Sequence, residues 1–386
     1  MENSSHYRVF TRQSLVWIIL FILGVYSPLY GQSWKASGSD QYPKLETFVS
    51  ALSATDRGIV GDGVTDNTAA IQTALNDIAT WGGGALYLPD GKYVINGGLI
   101  IPKGVILRGD WKKPVKGEPI GGTILMGFAG RGDVNGSPLL TLESASAVMD
   151  IAIWYPEQNP DNIVAYPPSI LFGKPGYWGN DFANAKNVTF VNSYIGLMYS
   201  RTNTGGCPIV NGMYGTPLSV GVEIDNIGDV GRIENIDFSP SYWASSGLTG
   251  SPAAGSAFAN WIYEHGTGIV MRRNDWSYTT YVHVEKYNKG ILLGYSMSAG
   301  SEGFTPNGHY YDLTFKDCKT AVYAEAVNDV GLLCSNLKIQ NCETGFSFRP
   351  NTGGVFQIQA SQIEATSEAI SVDKSSGTKI LLNQSL

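Results

Sequence analysis

Short runs in which apolar and polar residues alternate recur down the chain, separated by Gly, Asn and Ser. Asn187-Val-Thr-Phe-Val-Asn-Ser193, Asn235-Ile-Asp-Phe-Ser239 and Tyr281-Val-His-Val-Glu-Lys-Tyr287 superimpose in one register. Asp312-Leu-Thr-Phe-Lys-Asp-Cys318, Asn336-Leu-Lys-Ile-Gln-Asn-Cys342 and Val355-Phe-Gln-Ile-Gln-Ala-Ser361 extend the series. Period-two alternation is the pattern of a half-buried strand. Cys318-Lys-Thr-Ala-Val322 returns after 24 residues as Cys342-Glu-Thr-Gly-Phe346, and Thr366-Ser-Glu-Ala-Ile370 follows after another 24. A repeat of this length marks a solenoid, in which each coil buries its apolar face only by stacking on its neighbours. With no amphipathic helices between the strands, the chain reads as all-β, a single β-solenoid.

One segment breaks the pattern. Asp66-Asn-Thr-Ala-Ala-Ile-Gln-Thr-Ala-Leu-Asn-Asp-Ile78 places Ala70, Ile71, Ala74, Leu75 and Ile78 on one helical stripe, with Asp66 or Asn67 as N-cap and Gly82-Gly-Gly84 as the stop. A solenoid end exposes unpaired strand edges, so this helix, within about 55–82, is expected to cap it. The β-helix domain is expected over 33–386, with long loops at about 154–185 and 240–262. The last run, Lys379-Ile-Leu-Leu-Asn383, has no evident cap after it, which leaves an oligomer through the C-terminal end as an expectation.

Composition narrows the class. Of 386 residues 47 are Gly and 21 Tyr, charged residues make up only 15%, and the net charge is −7. That argues against coiled coils and disorder, and gives no basic footprint for nucleic acid. Arg8 and Arg12 precede an apolar run, Leu15 to Val25, followed by small and polar residues. The run is short for a membrane span and typical of a secretory signal. Residues 1–32 are therefore expected to be a signal peptide, the mature protein secreted or periplasmic, with no membrane span after cleavage. Cys207, Cys318, Cys334 and Cys342 allow three disulfide pairings, among which the sequence does not choose. No spacing of His and Cys marks a transition-metal site.

Ile59-Val-Gly-Asp-Gly-Val-Thr-Asp-Asn-Thr-Ala-Ala-Ile-Gln72, Gly82-Gly-Gly-Ala-Leu-Tyr-Leu-Pro-Asp-Gly-Lys-Tyr93 and Val105-Ile-Leu-Arg-Gly109 resemble the opening of pectate-lyase-superfamily proteins. The resemblance points to the branch of glycoside hydrolase family 55 and the polygalacturonase-like hydrolases. It implies a right-handed parallel β-helix, secretion and action on polysaccharides. It implies no particular chemistry, because hydrolases, lyases and phage tailspikes share the motif. The chain has room for one β-helix where family 55 has two, and it lacks the paired Asp and Gly-His of polygalacturonases. No catalytic residue carries over.

Candidate chemistry comes instead from the strands. The residues between inward-facing apolar neighbours point outward: Ala152, Thr189, Asp237, His283, Thr314, Lys338 and Gln357, followed two positions on by Trp154, Val191, Ser239, Glu285, Lys316, Gln340 and Gln359. If their coils are adjacent, Asp237 and Glu285 lie roughly 8 Å apart between Cα atoms, with His283 between them. Two carboxylates at such range are what glycosidic hydrolysis requires; the plain alternative is a solvated polar face. The loops add Glu157, Glu264 and Asp275 as acids, and Trp154, Tyr155, Trp178, Trp243 and Trp276 as surfaces for sugar rings. Arg272 and Arg273 stand beside Asp275 and could meet acidic substrate, although a turn residue paired to Arg explains Asp275 as well. The expectation is a glycoside hydrolase with a polysaccharide substrate and no cofactor. The alternatives are a β-eliminating polysaccharide lyase on a uronic-acid polymer, with Ca2+ as its cofactor if any, and a non-catalytic, tailspike-like glycan binder.

Overall fold

The structure, a computed structural model, describes residues 51–174, 180–199, 202, 204–253 and 256–385. The expected leader and Trp178 lie outside the described residues. Helix α1 (Thr68–Thr80) buries Ile71, Ala74, Leu75 and Ile78, the predicted stripe apart from the half-buried Ala70. Asn67 is the N-cap residue, and the Asp66 carboxylate accepts from the Thr68 amide at 3.0 Å. Gly82, Gly83 and Gly84, all at positive φ, end it.

Beyond α1 the chain is a single parallel β-helix whose successive coils pair in parallel on three faces. Segments such as Arg232–Glu234, Ser277–Thr280, Gly308–Tyr311 and Leu332–Ser335 form the first face. The same strands bend and continue as a second face through Ile236–Phe238, Val282–Glu285, Leu313–Lys316 and Lys338–Gln340. Val220–Ile224, Thr267–Met271, Lys289–Leu293 and Thr320–Ala324 make the third.

The bend between the first two faces explains the recurring Asn. Asp150, Asn187, Asn235, Tyr281, Asp312 and Asn336 stack in one column, all with φ between 53° and 60°. Asn and Asp adopt this left-handed conformation most readily after Gly, and Gly212 holds the same position in its coil. Asn187 donates to Asp150 across coils at 2.8 Å.

The last aligned segment needs correction. Val355–Gln359 pairs with Leu332–Ser335 on the first face, and the continuation of the Asn336 segment is Gln362–Ile363. Apolar alternation looks the same on every face. The corner that would have fixed the register is Ala360, an unmarked residue at φ 48°.

Between the second and third faces, large residues oppose small ones. Phe190, Phe238, Val284, Phe315 and Ile363 point inward from the second face onto Gly196, Gly221, Gly268, Gly290 and Gly345 of the third. The glycines let the third face approach the large side chains of the second closely. The four cysteines are free, and Cys318, Cys334 and Cys342 are buried.

Candidate functional site

The second face carries its polar residues outward, as the alternation requires. Asp237 is the direct strand partner of His283, and Glu285, two residues further along, is the partner of Lys316. Asp237, His283 and Glu285 are therefore neighbours, as their spacing predicted.

What completes the group comes from the far N-terminal side. Between the strands Val105–Gly109 and Thr123–Gly127, residues 110–122 leave the barrel and run up the outside of the second face, coil after coil. Trp111 donates to Thr189 at 2.9 Å and packs on Tyr214, with ring centroids 5.6 Å apart. Two coils on, the Lys116 ammonium reaches Asp237 Oδ1 at 3.0 Å, His283 Nδ1 at 3.1 Å and Glu285 Oε2 at 3.3 Å. Ala152, Thr189, Val191 and Ser239, all expected to face solvent, are buried, and Trp111 of this segment covers Thr189.

Each acid is held several times over. Asp237 Oδ1 lies 2.9 Å from His283 Nδ1, and Asp237 Oδ2 accepts from the Tyr242 hydroxyl at 3.0 Å. Glu285 accepts from Ser239 at 3.0 Å and lies 3.6 Å from the Lys316 ammonium. Burial alone would raise the pKa of Asp237, but His283 and Lys116 outweigh it and hold the carboxyl below its ordinary value. Burial acts on Glu285 in the same way, and Lys116, Ser239 and Lys316 bring it down. Tyr242 moves the other way: burial and the charge of Asp237 keep its phenol protonated. If His283 donates its Nδ1 proton to Asp237, Nδ1 accepts nothing from Lys116, whose ammonium is left to the two carboxylates, and Nε2 carries the free lone pair. The arrangement then holds an oriented imidazole base, two ammonium groups and a phenol.

Helix α2 (Ser241–Ala244) and helix α3 (Ala257–His265) form the opposite wall. A cavity of about 480 Å³ opens beside Lys116, lined also by Pro240, Ser241, Ser245, Phe258 and Lys286.

The other expected site residues lie elsewhere. Asp275 precedes the strand that Glu285 ends; it faces Arg273 at 3.5 Å, the turn pairing foreseen as its plain alternative. Arg273 is also tied to Asn226 and Ser301, and Arg272 to Glu223 at 3.1 Å, so both fasten turns beside the third face. Glu264 is exposed near the end of α3 and paired to Lys319 at 2.6 Å, and Glu157 is exposed in the turn after Tyr155. Three aromatics expected as sugar platforms belong to the interior. Trp154 and Tyr155 are buried, with the Tyr155 hydroxyl on Ser169 at 2.9 Å, and Trp243, fully buried, packs edge-on against Phe258. Loop position suggested exposure, but a Trp in a long excursion is also what fastens that excursion down. Trp276 is exposed.

Lys116 was missed. Its signal was present, because Trp111-Lys-Lys-Pro-Val-Lys116 interrupts the strand spacing with three lysines, but nothing in the sequence says where an excursion from one coil lands on another. Tyr242 falls within the expected loop at 240–262, and nothing in the sequence marks it as a partner of Asp237.

The fold is a parallel β-helix, and its N-terminal part is similar to pectate-lyase-like proteins. Residues 51–143 match the family described as Rhamnogalacturonase A/epimerase, pectate lyase-like. Among curated proteins, a mannuronan C5-epimerase of Azotobacter vinelandii is 54% identical over 43 residues, which is 11% of this chain and 4% of that one. The tail spike protein of Shigella phage Sf6 is 38% identical over 93 residues, 23% of this chain and 14% of the relative. The chain thus matches only a small part of the length of these relatives. Among solved structures, the A-module of an Azotobacter vinelandii mannuronan C-5 epimerase has a TM-score of 0.50 at 14% identity, covering 86% of this chain and 95% of that one. The Dettilon tailspike protein has a TM-score of 0.54 at 12% identity, covering 86% and 59%. At these identities the likeness is one of fold.

Proposed function

We propose that the protein is an exported enzyme acting on an acidic polysaccharide, and that His283 removes the proton from the sugar carbon next to a uronate carboxylate. The observation that carries this reading is the Asp237–His283 pair at 2.9 Å beside Lys116. Asp237 orients the imidazole, Nε2 takes the proton, and Lys116 and Lys316 stabilise the charge that builds on the uronate carboxylate as the carbon–hydrogen bond breaks. The electron pair left on carbon either forms a double bond and expels the neighbouring glycosidic oxygen, which takes up a proton from His283 or water to become a hydroxyl, or is reprotonated. The A-module of the epimerase and the family described as Rhamnogalacturonase A/epimerase support a polysaccharide as substrate.

The hydrolase expectation fits this geometry less well. Asp237 and Glu285 share one ammonium, so a cation occupies the space where water or the anomeric carbon would sit. The same cation holds both carboxyls deprotonated, which leaves no carboxylic acid to protonate a leaving oxygen. Among the described residues no group of three or more His, Cys, Asp or Glu gathers in a way that could hold a metal ion.

The test is incubation of the full chain with alginate, polygalacturonate and a neutral glucan, with and without added calcium. Ultraviolet absorbance reads unsaturated ends, a reducing-sugar assay reads cleavage, and proton exchange from solvent reads reprotonation. Unsaturated ends or exchange on a uronate polymer, lost in His283→Ala, is the expected result. Reducing ends without either signal would return the hydrolase reading.

A further inference from the structure

Two exposed aromatic residues in a left-handed conformation stand at the two ends of one strand segment. Tyr281 occupies the corner column that Asp, Asn or Gly fills in its neighbouring coils, with φ 57°, and its ring is 54% exposed. Five residues before it, Trp276 has φ 59° and is 58% exposed, its amide held at 2.7 Å by the buried side chain of Asn307. Large side chains are rare at such angles, and residues held in this way cluster at ligand-binding positions. Both bracket the same first-face segment, Ser277–Thr280.

Around them the face is rich in aromatics, with Arg232 and Glu234 as the strand neighbours of Tyr278 and Thr280. Tyr278 and Tyr311 are exposed, Tyr281 and Tyr311 meet edge-on at 6.1 Å, and Tyr278 and His309 at 6.2 Å. A depression of about 440 Å³ runs beside them, lined by Trp276, Tyr278, His309, Val330, Leu333 and Gln357. Rings alternate with hydrogen-bonding side chains, which suits the mixed apolar and hydroxyl surface of a sugar chain. The face is also continuous with the candidate site, since Tyr281 stands two residues before His283 on one strand.

We propose that this first-face surface is an accessory glycan-binding site, packing sugar rings on Trp276, Tyr278, Tyr281 and Tyr311 and holding the polymer beside the His283 cluster. The inference rests on the reading that the substrate is a polysaccharide, but not on the chemistry assigned to His283.

Electrophoresis of the full chain through gels containing alginate, polygalacturonate or dextran tests it, with analytical ultracentrifugation and circular dichroism alongside. Wild type is expected to be retarded by at least one polymer. Trp276→Ala and Tyr311→Ala should each weaken retention about threefold or more and the double variant about tenfold or more, with melting temperatures preserved. His283→Ala should bind as wild type does, so turnover and retention fail separately. Wild type unretarded by all three polymers, or a double variant retained as strongly as wild type, overturns the proposal. So does a wild-type oligomer that the double variant dissolves, which would assign the face to a second copy of the chain.

Discussion

Lys116 sits between two carboxylates, and that position decides what either of them can do. Replacing it with Met leaves Asp237 and Glu285 facing each other without the shared cation, so both should become harder to ionise. Each carboxyl has a folded pKa below its ordinary value. Its contribution to stability is therefore present above the unfolded value near pH 4 and is lost as pH falls through the folded one. Thermal melts of wild type and Lys116→Met from pH 7 down to about pH 2.5 should show a difference that is largest near neutrality and shrinks at the acid end. A constant difference would mean that the ammonium acts through packing alone. Tyr281 offers a second test at this scale. A Tyr in the left-handed region carries a cost of about 1–2 kcal/mol that Asn largely avoids, so Tyr281→Asn should raise the melting temperature by roughly 2 °C. The same change should weaken glycan retention. A variant more stable but poorer at binding would identify the corner as a place where ligand contact was favoured over stability.

The coils themselves rest on the match between a column of large residues and a column of glycines. A Cβ added at Gly268 would fall 2.7 Å from both the Gly290 carbonyl oxygen and a Val284 methyl. Gly268→Ala should destabilise by about 1–3 kcal/mol, seen as a lower midpoint in urea. Gly250, with open space around its Cβ position but positive φ, should cost less. At this scale the sequence was most informative. The αL corner prefers Asn and Asp for a backbone reason, so Asn187, Asn235, Asp312 and Asn336 marked the register and brought Asp237, His283 and Glu285 together. Where the corner was Ala360 the mark was missing, and the register slipped by one face. The cap helix was legible for a similar reason, since its stripe of apolar residues and its glycine stop are both local.

Contacts that cross the molecule were not legible. Lys116 lies 121 positions before Asp237 in the chain and reaches it only because the segment 110–122 climbs three coils of the second face. Trp154 and Trp243 carried the composition of a binding surface and the burial of a core, and composition cannot separate the two. Asp275 illustrates the reverse error: an acid beside Arg and Trp suggested chemistry, yet its partner Arg273 belongs to the turn that fastens the chain beside the third face. Across the whole molecule, a parallel β-helix carries an aromatic face and a charged cluster on adjoining sides of one strand. In the proposed chemistry His283, oriented by Asp237, moves a proton on a uronate polymer. The most direct measurement is the rate of formation of unsaturated uronate, together with solvent-proton exchange, for wild type, His283→Ala and Asp237→Asn on alginate and polygalacturonate. The account predicts activity in wild type, a loss of about 10²-fold or more in each variant, and unchanged folding by circular dichroism. Full activity in a folded His283→Ala variant would contradict it.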